Sequence, residues 1–409
     1  MVQTGEFQPG AAPGLLQQLE DPYALYAALR ERDEIVFSPE LNAWLVARYD
    51  DVRSILARPD IFSSRDFTTF MSLSPAALDV LQQGYPLTLV AITSDGIEHR
   101  RRREPHVKGL SAASIKECEP AIRERAHRLI DAFIDDGHAD LIAQFAYPFT
   151  VETILSFLGV PRDHMEELQE WSRDMADLAF GTMRSDEHQV ACAKGYVAFQ
   201  HYMAQLIEQH RANPQGDELD ALIHYQVAGE PLLNDAELIH DAAGLLAAGH
   251  RSSLDGCSNA FVKVLQNAAL WKQLCDQPDT IPAFVEEILR YESPVQTLFR
   301  IVLQDVEIGG VTLAEGARVV LLLGSANRDE QHFSASHAFD PQRAPNHHIA
   351  FGHGVHFCIG APLGRLEIRA ALEALTQRLP TLRLVPGQEP ALNPMMLLFR
   401  GYQKIEVEW

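Results

Sequence analysis

Phe351-Gly352-His353-Gly354-Val355-His356-Phe357-Cys358-Ile359-Gly360 is the stretch on which the reading of this chain turns. Two glycines at alternating positions precede a cysteine, and a third glycine with Ala361-Pro362 follows it. Gly352 and Gly354 permit positive φ and close backbone approach. A helix beginning near Ala361-Pro362 would aim its N–H groups and positive dipole end at the sulfur, which favours a thiolate. Gly360 leaves room for a flat group against the backbone. A lone cysteine is ordinarily a small buried hydrophobe. The loop by itself therefore has two readings: a structural cysteine in a glycine turn, or a sulfur ligand to something bulky.

The rest of the chain narrows the choice. Its 409 residues are 46% hydrophobic and 22% charged, the balance of a globular protein with a large core. No Gly, Ser or Pro run, low-complexity tract or repeat divides it, so residues 1–409 are expected to form one domain. Cys118, Cys192, Cys257, Cys275 and Cys358 are odd in number and lack a C-x-x-C pair. That argues for a reducing cytoplasm and against a disulfide framework or zinc site. The polar N-terminus lacks the form of a secretory signal. Leu238 to Gly249 is the most apolar helical stretch, and His240 and Asp241 interrupt it, so no membrane span is expected. A net charge of −22 disfavours nucleic acid.

Helices are expected at 21–32, at 50–57 and over most of 97–266. Asn234 with Glu237 three residues later is a capping box for the most regular of them. Leu238, Ala242, Leu245, Gly249 and Ser252 fall on one face of that helix. A further helix starts near Asp279-Thr280, with Pro282 in its first turn, and another follows Pro362. Strands are expected around Ile35–Phe37, Ala43–Ala47, Val306–Ile308 and Ala317–Leu323, and in the tail from Leu382. Residues 61–93 read as irregular, which in a compact chain points to function. The class is mainly α with a small β region.

Phe351-x-x-Gly354-x-His356-x-Cys358-x-Gly360 resembles the haem-binding signature of the cytochrome P-450 family. The resemblance implies the family's fold, haem b as cofactor, Cys358 as axial iron ligand and His356 on a haem propionate. It covers essentially the whole chain and is strongest from 287 to 367. Glu287 and Arg290 resemble the family's E-x-x-R pair, which Arg343 of Phe339-Asp340-Pro341-Gln342-Arg343 would join in a structural role. His99 and Arg103 match H-x-x-x-R, and Arg300 matches another propionate-binding arginine; guanidinium and imidazole suit carboxylates. Arg103 is expected to face haem while Arg100 and Arg102 point outward. With no flavin or iron–sulfur domain visible in 409 residues, electrons are expected from a ferredoxin and its reductase. The ferredoxin would dock on a basic patch around Arg100, Arg102 and Arg365. A monomer is expected.

The pattern departs from the family over the oxygen site. The family carries A-G-x-acid-Thr; this chain has Ala248-Gly249-His250-Arg251-Ser252. Ala248 and Gly249 are expected to leave a groove for oxygen and substrate, and Ser252 keeps a hydroxyl. Arg251 cannot relay protons as a carboxylate would. Three readings are open. Arg251 pairs with Asp255 while water or substrate delivers protons through Ser252; it anchors an acidic substrate or orients a peroxide; or oxygen activation is weak and the protein binds without turnover. His250 is expected to be a packed helix residue. A second departure, Ser94-Asp95-Gly96 before Ile97-Glu98-His99, is expected to alter loop shape and not haem binding. By resemblance, Phe70, Leu87, Val90, Phe180, Leu245, Ala248, Val295, Leu298 and Met396 line the substrate site. Their apolar character implies a mainly hydrophobic organic molecule. Each could equally be core. The expected activity is insertion of one oxygen atom from O2, with peroxide-driven oxidation and a haem-bearing binding protein as rivals.

Overall fold

The structure, a computed structural model, describes residues 20–32, 34–65, 73–180, 185–393 and 397–409, without the side chains at 108, 166, 167, 176, 179 and 180. Helices come first as α1 (Tyr23–Arg30), α2 (Tyr49–Leu56), α3 (Pro75–Leu81), α4 (Gly96–Gly109), α5 (Ala112–Asp131), α6 (Tyr147–Phe157), α7 (Met165–Phe180) and α8 (Asp186–Ala212). Then follow α9 (Glu218–Ile223), α10 (Asp235–Leu265), α11 (Ala268–Asp276), α12 (Ile281–Tyr291), α13 (Leu323–Ala326) and α14 (Ala361–Arg378). No helix among the described residues is long and apolar enough to cross a membrane.

The 31-residue α10 is the axis of the molecule. Its capping box forms as the sequence suggests: Asn234 Oδ1 accepts from Glu237 N (3.0 Å), and Glu237 Oε2 accepts from Asn234 N (2.9 Å). Helices α6, α7, α8, α11, α12 and α14 pack around it, and the largest apolar cluster lies between them. That surround explains why α10 is buried on most sides and carries few charged residues.

The five-stranded sheet combines chain segments far apart in sequence. β1 (Val36–Ser38) and β2 (Ala43–Val46) form a hairpin. β3 is Phe62–Ser63, and His138–Asp140 (β4) together with two short pairing strands Gln226–Val227 (β5) and Glu230–Pro231 (β6) lie outside this sheet. β7 (Thr297–Val302) joins it, the hairpin β8 (Val306–Ile308) and β9 (Val311–Leu313) does not, and β10 (Arg318–Leu322) completes the order β1-β2-β10-β7-β3. Val319 and Leu321 of β10 enter one apolar cluster and Val320 and Leu322 the other. Burial on both faces requires such an unbroken apolar run. The tail adds short strands at Arg383–Leu384, Ala391–Leu392, Tyr402–Lys404 and Glu406–Glu408.

Several elements depart from the sequence expectation, among them the short strands β4, β5 and β6 inside the stretch read as helix. The stretch 61–93 holds α3, whose start is capped by Ser74 Oγ accepting from Ala77 N at 3.3 Å, with Pro75 in the first turn. β7 was not expected either, because Gln296 and Arg300 break the apolar alternation that announces a strand.

Candidate functional site

The Cys358 loop closes on itself: Cys358 N donates to Phe351 O at 2.8 Å. Gly352 and Gly354 adopt φ of 72° and 73°, the left-handed region that glycine enters freely. A Cβ at Gly354 would stand 2.5 Å from the Leu56 carbonyl oxygen at the end of α2, so a side chain there is excluded twice over. The sulfur accepts from the N–H groups of Gly360 and Ala361 at the start of α14, and Arg103 and Arg365 favour its anion. Burial outweighs them and raises the thiol, although the Cys358 side chain is accessible. These two facts agree if the sulfur faces a cleft walled by protein. A Cβ on Gly360 would lie 3.9 Å from that sulfur. Phe351 packs near Phe357 beneath the Arg365 guanidinium, which is 4.4 Å from its ring centre.

Beside the loop, two arginines and two histidines converge from three elements. The rings of His99 (α4) and His356 are 4.1 Å apart. Arg300 (β7) is buried, donates to Phe299 O and faces Asp95. Arg103 donates to Phe357 O at 2.6 Å. Burial, then Arg300 and His99, push His356 down to about 3. Burial likewise lowers Arg300 to about 10 and, with Arg103, holds His99 below its ordinary value. Asp95 is the carboxylate among them. It accepts from Ser63 Oγ, Ser64 N and Ser64 Oγ, and Ser64 Oγ lies 3.2 Å from His356 Nε2. His99 Nε2 is buried without a hydrogen-bond partner among the described residues. Two arginines and two histidines beside an accessible sulfur fit a ligand that carries two carboxylates and a metal with an open position for thiolate. Haem has both. Asp95 does more than shape its loop, and its serines and its serial position before α4 held no motif that announced it.

The basic run on α4 is not the outward patch anticipated. Arg100 is exposed, but Arg102 is 3% exposed and pairs with Glu98 (2.9 Å) and Glu237 (2.9 Å). Arg101 joins Glu98 and Glu237 too. The acidic first turn of α10 draws these guanidinium groups inward, an outcome that helical spacing alone does not reveal. Arg365 is paired with Glu286 at 2.6 Å.

Over the loop runs α10. A Cβ on Gly364 of α14 would touch both Phe351 (3.8 Å) and Ser253 Oγ (4.0 Å), so α10 crosses the loop at residue 253. On α10, Leu245, Ala248 and Ser252 are accessible, Ala248 the most of the three. Ser252 Oγ donates to Ala248 O at 2.8 Å. Arg251 is on the buried side, with Nε donating to Asp255 Oδ2 at 2.9 Å and its guanidinium 6.0 Å from the Phe399 ring centre. Burial raises Asp255 to about 6 despite this pairing. Gly249 does not widen the groove as expected: its missing Cβ would press on Ile154 Cδ1 of α6 at 2.8 Å, so its smallness serves helix packing. His250 is a packed residue, 3.0 Å from Thr150 Oγ1 and pushed by burial down to about 3.

Of the apolar candidates, Val90 touches the Gly244 position of α10. Val295 bridges to Phe399, and Leu298 shares its face of β7 with Arg300 by strand alternation. Leu87 is 53% exposed. Phe70 and Met396 lie outside the described residues, as does the Phe180 side chain. Glu287 is completed by Arg290 (2.8 Å) and Arg343 (3.1 Å), the first two with no exposed side chain.

Sequence reading missed one acid. Glu367 of α14 is buried, accepts from Ser253 Oγ at 2.5 Å, and is raised by burial to about 8. It is therefore a neutral carboxylic acid one residue from Ser252, placed there by helix crossing and not by any local pattern.

Comparison with known proteins agrees with this geometry. The family model Cytochrome P-450 matches residues 275–403. Mycinamicin IV hydroxylase/epoxidase of Micromonospora griseorubida is 36% identical over 372 residues, 90% of each chain. The P-450 heme domain of Tepidiphilus thermophilus superposes with a TM-score of 0.91 at 31% identity, covering 99% of this chain and 96% of that one. An intact type IV self-sufficient cytochrome P-450 monooxygenase gives the same TM-score over 100% of this chain but 53% of its own. This chain belongs to the cytochrome P-450 family and is a haem b monooxygenase.

Proposed function

We propose that the protein inserts one oxygen atom from O2 into a mainly hydrophobic small organic substrate, with Cys358 as the iron ligand. The observation that carries this reading is the accessible Cys358 side chain, beside two arginines and two histidines and beneath the open stripe of α10. Haem, once bound, supplies the oxygen-activating chemistry, and a thiolate ligand favours O–O cleavage. Arg103 and Arg300 would neutralise its two carboxylates, and the neutral imidazoles of His99 and His356 would hydrogen-bond them and fix their orientation. Leu245, Val90, Val295 and Leu298 would exclude water and hold an apolar substrate against Ala248.

Protons need a carrier other than residue 251. Arg251 is committed to Asp255, which supports the reading in which Ser252 presents its hydroxyl and water or substrate resupplies the proton. Ser253 with the neutral Glu367 provides an acid beside it. Hydroxylation or epoxidation is the reaction class suggested by the named relative.

For electrons we propose a separate ferredoxin and reductase. The docking place would be the groove of about 280 Å³ between α5, α12 and α14, where Lys116 stands beside the Arg365–Glu286 and Arg369–Glu119 pairs. We place the protein in the cytoplasm as a monomer, in keeping with its five unbridged cysteines.

The test has two parts. The reduced carbon monoxide complex should show the strongly red-shifted Soret band of thiolate ligation, and Cys358→Ala should lose it. Turnover of spin-shifting substrates should require ferredoxin with an NADPH-linked reductase. Product with hydrogen peroxide alone would replace this reading with peroxygenation, and product with neither would leave a binding protein.

A further inference from the structure

Away from the haem site, Asp177 in the last turn of α7 meets His188 and Cys192 at the start of α8. His188 Nε2 stands 2.9 Å from Asp177 Oδ2 and 3.4 Å from Cys192 Sγ. The three atoms lie within 4.8 Å of one another. His and Cys at i and i+4 project from one helix face, and the carboxylate arrives from the neighbouring helix. His188 Nε2 thus lies between a carboxylate oxygen and a sulfur, three atom types that all serve as zinc ligands.

The distances suit such an ion. With zinc bonds of about 2.0–2.3 Å, neighbouring ligand atoms of a tetrahedron stand about 3.3–3.6 Å apart. The nitrogen–sulfur pair already does so, and the nitrogen–oxygen pair needs to open by about half an ångström. Asp177 and His188 have side-chain exposures of 28% and 39%, which gives an ion a way in, while Cys192 forms the buried floor. Asp174, one turn before Asp177, adds a second carboxylate that feels both Asp177 and His188. The other cluster of this kind, His210 with Asp217 and Asp220, differs in kind. Its carboxylates already accept the N–H groups of Gln215, Gly216 and Asp220 and cap α9.

We propose that Asp177, His188 and Cys192 bind one zinc ion, with water in the fourth position, and that the ion clips α7 to α8. On binding, the Cys192 thiol releases its proton to solvent as the zinc–sulfur bond forms. The site is independent of the haem reading, and its failure would leave that reading intact.

The test uses the haem-loaded protein, stripped with a chelator and dialysed against zinc chloride. Elemental analysis should give one zinc per iron. X-ray absorption at the zinc edge should show one sulfur at about 2.3 Å with nitrogen and oxygen near 2.0–2.1 Å. Cys192→Ser should remove the sulfur shell. His188→Ala and Asp177→Asn, at accessible positions, should each weaken binding about 10-fold or more while leaving the haem spectrum unchanged. Cys118→Ser and Cys275→Ser should change nothing. A zinc shell without sulfur, a sulfur shell that survives Cys192→Ser, or equal zinc retention by all variants would overturn the proposal.

Discussion

Arg251 is the residue at which this chain departs most from its family pattern, and its side chain points away from the chemistry. Its guanidinium is held by Asp255 on the buried side of α10, while Ser252 faces the open stripe. The Arg251–Asp255 pair is thus an internal ion pair whose loss leaves a buried, uncompensated carboxyl. Arg251→Ala is expected to destabilise the fold by about 3–5 kcal/mol, read as a lower midpoint in urea. Product formed per folded haem should stay close to that of the parent protein. A selective loss of binding for acidic substrates would instead make Arg251 a substrate anchor. Replacing the pair together, by Met at 251 and Leu at 255, should recover most of the lost stability, because apolar substitutes of similar volume need no partner.

Between elements, two contacts of α10 carry the next predictions. At Gly249 the helix meets Ile154 of α6 with no room for a methyl group. Gly249→Ala should cost about 1–3 kcal/mol through overpacking, and Ile154→Val in the same chain, by removing Cδ1, should return part of it in the same unfolding measurement. On the opposite contact, Glu367 of α14 is raised from 4.5 to about 8 by burial. The folded form keeps this proton where the unfolded form has lost it. Stability from this group is therefore full below about pH 4.5 and falls as pH rises to about 8. Glu367→Gln should flatten that slope in thermal midpoints recorded from pH 5 to 9, and an unchanged slope would mean that the carboxyl is ionised in the folded protein.

The same elements show what can be read before folding is known. The apolar run of β10, the capping box of α10 and the Glu287–Arg290 spacing are local, and each formed where its residues suggested. β7 was hidden because its strand conformation is imposed by pairing with β10 and β3, not by its own alternation. Arg102, Gly249 and Glu367 were misjudged or missed for one reason: helical periodicity assigns residues to faces but does not say which neighbour each face will meet. The cysteine loop was legible because its glycines and sulfur are constrained within ten residues.

For the molecule as a whole, the cluster of two arginines and two histidines would tie separate parts of the chain to one ligand. Arg103 and His99 come from α4, Arg300 from the sheet and His356 from the cysteine loop. With Arg300, His99 and His356 sharing Asp95 as their carboxylate and Arg103 facing Cys358, binding of a dicarboxylate should stabilise all three parts together. Free haem at a thousand times its dissociation constant would add about 4 kcal/mol. Removing haem should lower the melting midpoint and speed amide exchange at residues 95–103, 297–302 and 351–361 in concert. Faster exchange in the loop alone would show that the carboxylates are held elsewhere.

The contact between Gly354 and the Leu56 carbonyl has a bearing on transplantation. The ten-residue loop takes its shape partly from a backbone oxygen nearly three hundred positions upstream. Grafted alone onto a foreign scaffold, the segment would keep its glycines but lose the abutment against which they bend, and a working graft would have to import the end of α2 with it.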